Sequence, residues 1–271
     1  MKASGRLGSS AGLNASGSLA VVLVGPEQAA NVGFVARTLA CYGIADFRIV
    51  GSPGIETGEA ARKTAKGAPG ILTNARHFET LSDAVADCGF AFGFTRRTRE
   101  PAQRIQDLDE AVALWRATSR SHADASSVAP QVTALVFGRE SQGLFREETL
   151  ALSHLVRIPM PDEVLSLNLS HAVAIGLYAF LGAGAGTDGK TTDQERTGAA
   201  GAEAPDMPPT RLENAALLET LMAGLDQKGF FRGGKEAAQR DYVRLLWQRM
   251  QPTQRELDFL AGMLKRLTAN S

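Results

Sequence analysis

The fold class of this chain is indicated first by the apolar run Leu19-Ala-Val-Val-Leu-Val-Gly25. A continuous apolar, β-branched run of this kind is typical of a strand that is buried on both faces of a sheet. Shorter apolar runs recur at 47–50, 90–94, 132–137 and 155–159. Apolar residues at helical spacing lie between these runs, at about 30–42, 56–66, 80–87 and 107–118, and a last helical pattern follows them at about 168–181. This alternation predicts an α/β domain with a mainly parallel sheet.

The character of the sequence changes on both sides of this domain. Residues 1–18 are rich in Gly and Ser and predict a disordered tail, and residues 182–210 lack periodic apolar residues and predict a flexible linker. Residues 211–271 show three helical patterns, and Thr253 and Glu256 stand at capping-box spacing before the last of them. We therefore expect an α/β domain at 19–181, followed by a small all-α domain at 211–271.

Composition and charge narrow the class of protein. Of the 271 residues, 44% are hydrophobic, and 29 Lys+Arg balance 29 Asp+Glu. The hydrophobic content excludes collagen-like and wholly disordered chains. The zero net charge does not exclude nucleic acid, because residues 90–104 hold four arginines against Glu100. Nucleic acid responds to such local patches more than to the sum of charges.

Cysteine and histidine show no spacing that binds metal or forms a disulfide framework. The two cysteines are Cys41 and Cys88, and the four histidines are scattered along the chain. The sequence thus predicts no metal site and a reducing, cytoplasmic compartment. No apolar stretch reaches the roughly 20 residues of a membrane helix, and the first residues have no long apolar run. We expect neither a membrane span nor a secretory signal.

Residues 184–191 match the phosphate-loop pattern GxxxxGK[ST], with Lys190 in the position that contacts phosphate. A phosphate loop joins a strand to a helix, so that the helix N-terminus faces the anion. Here the preceding run favours a helix, and the following run has no apolar face. We interpret the match as chance within the linker. A nucleotide-hydrolysing enzyme would instead bind ATP or GTP, and Lys190→Ala would abolish that binding.

The first motif, Asn31-Val-Gly33-Phe-Val-Ala-Arg37, follows the first strand. Asn31 stands where a helix N-cap is expected, and Gly33 permits the close approach of another backbone. Arg37 lies under two turns further along the same helix. The alternative interpretation is a capping Asn and a solvent-exposed Arg without function.

Two more motifs follow later strands. Phe137-Gly-Arg-Glu140-Ser-Gln-Gly-Leu144 starts at the end of an apolar strand, where open α/β sheets bind ligands. It is not a nucleophile elbow, because Arg139 stands where that motif needs Gly. Ile158 opens a Pro-rich loop that leads to a helix, with Ser166 and Asn168 at cap-like positions. The alternatives are a solvated Glu140 and simple helix capping.

Together the three motifs resemble the signature motifs of the SpoU/TrmH class of SPOUT RNA methyltransferases, over residues 19–181. Within this class the chain is most similar to the TrmJ family, which methylates the ribose 2′-OH of tRNA nucleotide 32 in the anticodon loop. The run 245–257 resembles the C-terminal helical extension of that family. The resemblance implies a trefoil knot in the C-terminal part of the α/β domain, a homodimer and S-adenosylmethionine as methyl donor. Nothing in the composition indicates a knot.

The resemblance also assigns roles to residues. The implied catalytic set is Arg37, Asn31, Glu140, Ser166 and Asn168. The implied cofactor-binding set is Thr95, Arg96, Arg97, Gly138, Ile158, Leu165, Ser166 and Leu167, and the implied RNA-binding set is Arg37, Arg97 and Arg99. Arg37 matches an arginine that is often regarded as the base. Because a guanidinium rarely loses its proton, we expect Arg37 to grip phosphate and to orient the 2′-OH.

This sequence departs from the TrmJ pattern at two places. Leu165 stands where a small polar residue is usual, so contact there is expected through the backbone. Arg96 and Arg97 replace smaller residues and add charge.

Two other functions stay open at this point. One is an rRNA 2′-O-methyltransferase of the same class, which an assay on both RNAs would distinguish; the C-terminal extension favours tRNA. The other is a non-catalytic RNA-binding module with a decayed site, against which Asn31, Arg37, Glu140 and Asn168 argue. Calorimetry with the cofactor would decide that second case.

Overall fold

The structure, a computed structural model, describes residues 19–96, 105–123, 132–161, 163, 166–182, 209–250 and 252–269. The tail at 1–18 and the phosphate-loop match around Lys190 lie outside these residues. Seven strands form the sheet: β1 (Leu19–Val24), β2 (Asp46–Val50), β3 (Arg76–Phe78), β4 (Cys88–Phe94), β5 (Ile105–Asp107), β6 (Val132–Phe137) and β7 (His154–Arg157). Every paired strand is parallel to its neighbour, in the order β3-β2-β1-β6-β4-β7-β5.

Helices alternate with these strands and then continue without strands. They are α1 (Ala29–Cys41), α2 (Glu59–Thr64), α3 (Pro69–Thr73), α4 (Leu81–Ala84), α5 (Leu108–Ala123), α6 (Arg146–Leu150), α7 (Leu169–Leu177), α8 (Arg211–Gln227), α9 (Glu236–Met250) and α10 (Gln254–Ala269). A 3-10 turn precedes α2 at Ile55–Thr57, and a π-helical turn extends α7 at Tyr178–Gly182.

β1 shows how the sheet is buried on both faces. All six of its residues are buried. Leu19, Val21 and Leu23 join one apolar cluster with residues of α1, α5 and α7. Val22 and Val24 join a second cluster with residues of α4 and of the segments that flank α6. Helices therefore cover both faces, and the uninterrupted apolar run follows from the central place of β1 in the sheet.

The prediction of an α/β domain with a parallel sheet is confirmed. All five predicted strands are present, with bounds that agree within two residues. The sequence patterns miss β3 and β5, which have three residues each and form the two edges of the sheet. They also miss the five-residue helices α3 and α6. Such short elements contain too few residues to show a period.

The three predicted C-terminal helical patterns are present as α8, α9 and α10. The capping box before α10 forms as expected: the Thr253 N–H donates to Glu256 Oε2 at 2.9 Å, and the Glu256 N–H donates to Thr253 Oγ1 at 3.3 Å. A small apolar cluster holds the three helices together, built on Leu217, Trp247 and Leu257. These helices also contact the α/β domain through α6 and β4.

Candidate active site

The candidate site lies at the carboxyl edge of the sheet, where loops follow four neighbouring strands. β1, β6, β4 and β7 lie side by side, and all of them end at this edge. Their loops carry the segment before Asn31, the Glu140 motif, Thr95 with Arg96, and the segment from Ile158 to Asn168. Parallel strands therefore bring together motifs that are far apart in the sequence.

Residues 138–145, which we call the β6 loop, fold tightly on themselves. Arg139 and Gly143 exchange both backbone hydrogen bonds, at 3.2 and 2.8 Å, and Gly143 has φ +68°. A Cβ at Gly138 would lie 2.2 Å from the carbonyl carbon of Gly143. Only glycine fits at position 138 for this reason, which explains the glycine at the start of the second motif.

A cavity of about 330 Å³, which we call the strand-end cavity, opens beside the β6 loop. Six of the predicted cofactor-binding residues line it: Thr95, Arg96, Gly138, Ile158, Ser166 and Leu167. Apolar side chains at the strand ends, among them Phe94 and Val156, line it as well. Arg96 connects two of its walls, since Nη2 donates to the carbonyl oxygen of Pro161 at 3.5 Å. Cavities that bind small ligands combine apolar walls and a few polar groups in this way.

Three residues of the predicted site lie outside the described residues. They are Arg97 and Leu165 of the cofactor-binding set, and Arg99 of the RNA-binding set. Ser166, predicted as catalytic, lines the strand-end cavity and is exposed.

A chain of side-chain hydrogen bonds joins the three motifs. Asn31 Nδ2 donates to Glu140 Oε1 at 2.8 Å, and Asn168 Nδ2 donates to Asn31 Oδ1 at 3.0 Å. Asn168 Oδ1 accepts from the Ser170 N–H at 2.9 Å and thus caps α7, as the sequence predicts. Asn31 is buried, and both ends of its amide are bonded. A fully satisfied polar network of this kind fixes the relative positions of its members.

The prediction that Asn31 caps the first helix is wrong. The N-cap of α1 is Gln28, whose side chain makes no capping bond, and Asn31 is the third residue of the helix. Instead, the Glu140 carboxylate accepts from the N–H groups of Glu27 and Gln28, at 2.9 and 3.2 Å. The acceptor for the N–H groups just before the first turn of α1 thus comes from a segment that is distant in sequence. The Asn31 side chain does not cap the helix and instead bridges two motifs. Glu140 is not merely solvated.

Glu27 belongs to the same arrangement and was not predicted. Its carboxylate accepts from the Ser141 N–H at 3.0 Å and from Ser141 Oγ at 2.5 Å. Glu27 and Glu140 therefore each bind the segment that carries the other. Residues 27 and 141 are 114 positions apart, and no local pattern marks such a pair, so sequence spacing gives no signal for it.

Gly33 allows α1 to approach α2 closely, as the sequence predicts. A Cβ at this position would lie 2.1 Å from both the Ala61 carbonyl oxygen and Thr64 Oγ1. Arg37 lies one turn further along α1 and is exposed.

Arg37 lines an open recess of about 640 Å³ between α1 and α7, which we call the α1–α7 groove. Asn31 and Asn168 contribute polar surface to the same groove. The strand-end cavity and the α1–α7 groove share none of their lining residues in the described part of one chain. The Glu140–Asn31–Asn168 network connects the walls of these two recesses.

Groups with strongly shifted pKa values lie at the opposite, amino edge of the sheet. Burial raises the pKa of the Cys88 thiol to about 12. Burial, together with the positive charge of Arg211, lowers the pKa of His154 to about 4. These two residues are the first of β4 and of β7. They belong to the interior and not to the edge where the motifs meet.

Metal and membrane features were searched across the described residues. Within them, no three His, Cys, Asp or Glu side chains are close enough to hold a metal ion. No helix among them is long and apolar enough to cross a membrane.

The model of the SpoU rRNA Methylase family matches residues 18–178, which include all three motifs. The chain belongs to this family. The resemblance inferred from the motifs is thus confirmed, and the strand-end loops described above are those of a SpoU methylase.

Several proteins to which this SpoU methylase is similar are TrmJ methyltransferases. It is 31% identical over 248 residues to tRNA (cytidine/uridine/adenosine-2′-O-)-methyltransferase TrmJ of Pseudomonas aeruginosa, with 90% of this chain and 91% of the relative covered. It is 30% identical over 249 residues to tRNA (cytidine/uridine-2′-O-)-methyltransferase TrmJ of Escherichia coli, with 91% and 94% covered. The crystal structure of TrmJ from Z. mobilis ZM4 matches with a TM-score of 0.71 at 25% identity, over 92% of this chain and 98% of that one.

Proposed function

We propose that this SpoU methylase transfers a methyl group from S-adenosylmethionine to the ribose 2′-OH of nucleotide 32 in the anticodon loop of tRNA. The observation that carries the proposal is the network of Glu140, Asn31 and Asn168, which joins the three motifs between the strand-end cavity and the groove of Arg37. The relatives named as TrmJ, which act on tRNA by their names, support the class of substrate. Position 32 rests on the resemblance to that family.

The strand-end cavity suits the methyl donor. Its volume of about 330 Å³ falls within the range of roughly 300–1,000 Å³ for small-ligand cavities. The bare backbone at Gly138 permits close contact, and Ile158 provides apolar surface. The residues that would hold the donor are Thr95, Arg96, Gly138, Ile158, Ser166 and Leu167. S-adenosylmethionine supplies a methyl group on a sulfonium, which is already activated, so the proposed transfer needs no metal.

Arg37 has the role of binding RNA phosphate and orienting the 2′-OH. A guanidinium offers parallel N–H donors that match two phosphate oxygens, and a fixed orientation lowers the entropic part of the barrier. Asn31 and Asn168 border the same groove and set its polar wall. Glu140 holds Asn31 from the side of the β6 loop.

The proposal includes a homodimer formed through α1 and α7. Three large apolar side chains of this region are exposed: Phe34 at 44%, Ile175 at 36% and Tyr178 at 67%. Their exposure favours a contact with another protein surface. Because Arg37 and the strand-end cavity occupy separate recesses of one chain, a second copy that brings its Arg37 to the cavity would complete the site.

Mixed dimers test this arrangement. Subunits with Arg37→Ala would be combined with subunits in which Ser166→Trp fills the cavity. Methyl transfer that returns on mixing, from two inactive parents, supports a shared site. A mixture as inactive as its parents would contradict the shared site.

Further assignments complete the proposal. The segment from the β6 loop to α7 forms the trefoil knot of the family, and Arg97 and Arg99 contact the RNA backbone. The all-α extension at 211–271 follows the α/β domain at 19–181 in the chain. The enzyme acts in the cytoplasm, where its tRNA substrate is processed.

Transfer of a tritiated methyl group to unmodified transcripts of tRNA and rRNA tests the proposed substrate. We expect label in tRNA and background label in rRNA. Label confined to rRNA would favour the rRNA methyltransferase of the same class. A protein that binds the donor but labels neither RNA would contradict the proposed function.

A further inference from the structure

The C-terminal helices contact the turn that follows α6. Gln248 on α9 donates from Nε2 to the backbone carbonyls of Thr149 at 3.3 Å and Leu152 at 3.0 Å, and also to that of Leu150. These carbonyls lie at the C-terminal end of α6, where helical carbonyls lack partners within the helix. One side-chain amide of α9 therefore binds three carbonyl oxygens of this turn, of which that of Thr149 also accepts from the Leu152 N–H at 3.3 Å.

The first residues of α8 bind the same turn. Arg211 Nη1 donates to Ser153 Oγ at 2.6 Å, and Nη2 donates to the carbonyl oxygen of Ala151. The next residue, Leu212, donates its N–H to the carbonyl oxygen of Ala86 at 3.0 Å. The start of α8 is thereby fixed to the segments that precede β4 and β7.

The beginning of α6 is also held by α9. Arg146 Nη2 lies 2.7 Å from Asp241 Oδ2, and the two side chains are 35% and 22% exposed. Arg244 on α9 lies 3.4 Å from the other oxygen of Asp241. A partly buried pair of this kind is less screened than one in full solvent. The helix α6 is therefore bound at both of its ends by α9.

α6 in turn shapes the β6 loop. Both oxygens of Glu148 accept from Arg139 Nη1 at 3.0 Å, and one of them accepts from the Phe145 N–H at 2.6 Å. The Arg139 guanidinium also lies over the Phe145 ring, 3.9 Å from its centroid. Arg139 follows Gly138, which lines the strand-end cavity. A shift of α6 would be transmitted to the wall of that cavity through these contacts.

We propose that α8 and α9 form a brace that positions the β6 loop through α6, with Gln248 and Asp241 as positioning residues for S-adenosylmethionine binding. The inference rests on the proposed donor site. Neither residue lines the strand-end cavity, so their effect is indirect. A loop that is held in its bound conformation loses less freedom on binding, and release of the brace lowers affinity for the donor.

Calorimetric titration of S-adenosylmethionine into full-length variants tests the brace. Gln248→Glu replaces the side-chain amide, which donates to three carbonyl oxygens, by a carboxylate that faces them. We expect the affinity for S-adenosylmethionine to be about tenfold weaker. Asp241→Asn weakens the pair with Arg146 without changing its shape, and we expect a loss of about threefold. Circular dichroism is used to choose a temperature at which each variant is folded, and Asp241→Asn alone decides the matter if Gln248→Glu does not fold.

Asp258→Asn provides the matched control. Asp258 is exposed on α10 and accepts from Gln254 Nε2 of the same helix at 3.0 Å, outside α8 and α9, so the same change of charge should leave affinity for S-adenosylmethionine unchanged. If both brace variants bind the donor as tightly as this control, the brace is contradicted while the proposed function stands. If the unmodified protein binds no S-adenosylmethionine, the proposed function itself fails.

Kinetics distinguish positioning from general destabilisation. The brace variants should raise KM for S-adenosylmethionine, and kcat should return to within about twofold at saturating donor. Glu148→Gln breaks the link between α6 and Arg139, so its combination with Gln248→Glu should weaken binding by less than the product of the two single losses. Losses that multiply fully would contradict the route through α6.

Discussion

The two edges of the parallel sheet carry polar networks of different kinds. At the carboxyl edge, Glu140, Asn31 and Asn168 join separate loops between two recesses of ligand size. At the amino edge, the buried guanidinium of Arg48 lies 2.6 Å from Asp46 and 2.5 Å from Asp87. Open α/β sheets bind ligands at the carboxyl ends of their strands. We therefore interpret the carboxyl-edge network as part of the candidate active site and the amino-edge network as a part that stabilises the fold.

The charged groups of the amino-edge network have pKa values that are shifted in the folded state. Burial alone would raise the pKa of Asp46 and of Asp87, but hydrogen bonds and charge from Arg48 outweigh burial, and the pKa of each is lowered. The same carboxylates raise the pKa of Arg48 against the opposing effect of its own burial. Removal of either carboxylate leaves the buried guanidinium of Arg48 with less compensation, which is costly.

At the carboxyl edge, the largest expected effect follows from Arg37→Ala. Methyl transfer should fall by roughly 10³-fold, because phosphate and 2′-OH lose their orienting group. Affinity for S-adenosylmethionine, measured by calorimetry, should stay largely intact, since Arg37 lies outside the strand-end cavity of its own chain and its proposed role is to bind RNA. Normal methylation of tRNA by this variant would show that the assigned role is wrong.

At the amino edge, Arg48→Met should lower the free energy of unfolding by about 1–3 kcal/mol, because the buried carbonyl oxygen of Ala84 loses its donor and Asp46 and Asp87 lose a partner. Urea unfolding measures this loss. Arg76→Met is the control: Arg76 pairs with the same Asp46 but is 49% exposed, so its loss should be below about 1 kcal/mol. Methyl transfer per folded molecule should change little for either variant. Equal destabilisation by both would contradict the structural role of Arg48.

Glu140→Gln tests the carboxyl-edge network by a smaller change. The charge that faces the first turn of α1 is lost, and we expect methyl transfer to fall by roughly 10–100-fold while the free energy of unfolding falls by about 1 kcal/mol. Glu147→Gln, an exposed neighbour on α6, should leave both quantities unchanged. A Glu140 variant that loses stability in proportion to activity would make this network structural as well.

His154 gives the amino edge a pH dependence. Its pKa of about 4 in the folded protein lies below the value of about 6.5 expected when the chain is unfolded, so the unfolded chain binds the proton first. Stability should be complete above pH 6.5 and fall as the pH decreases toward 4, by about 2 kcal/mol between pH 7 and pH 5. The stability of His154→Phe should not show this decrease between pH 7 and pH 5. If the free energy of unfolding depends on pH equally in both proteins, the role of His154 is wrong.

Sequence patterns predict the fold well where elements are long and buried. β1 is apolar throughout, β6 is apolar except for Thr133, and both agree with their predicted bounds within one residue. The edge strands β3 and β5 are short and polar in part, so no pattern marks them. The two helices α8 and α9 are periodic enough to predict, but their attachment to α6 is not, because it depends on single side chains such as Gln248.

The sequence predicts which residues belong to the candidate site better than it predicts how they are bonded to one another. The three motifs identify Asn31, Glu140 and Asn168, and resemblance adds the loops of the strand-end cavity. The bonds from Glu140 to the N–H groups before α1 are not predictable, since Glu140 belongs to the β6 loop, which is distant in sequence. Glu27 is not predictable for the same reason, because a carboxylate that binds a loop more than a hundred residues away has no local sequence pattern.

We propose that the loops at the carboxyl edge of this sheet methylate ribose in the anticodon loop of tRNA. Mass spectrometric mapping of tRNA transcripts, after reaction with the protein and S-adenosylmethionine, tests this proposal. We expect a single 2′-O-methylated nucleotide at position 32. A methyl group on a base, or on the ribose of another region of the tRNA, would contradict it.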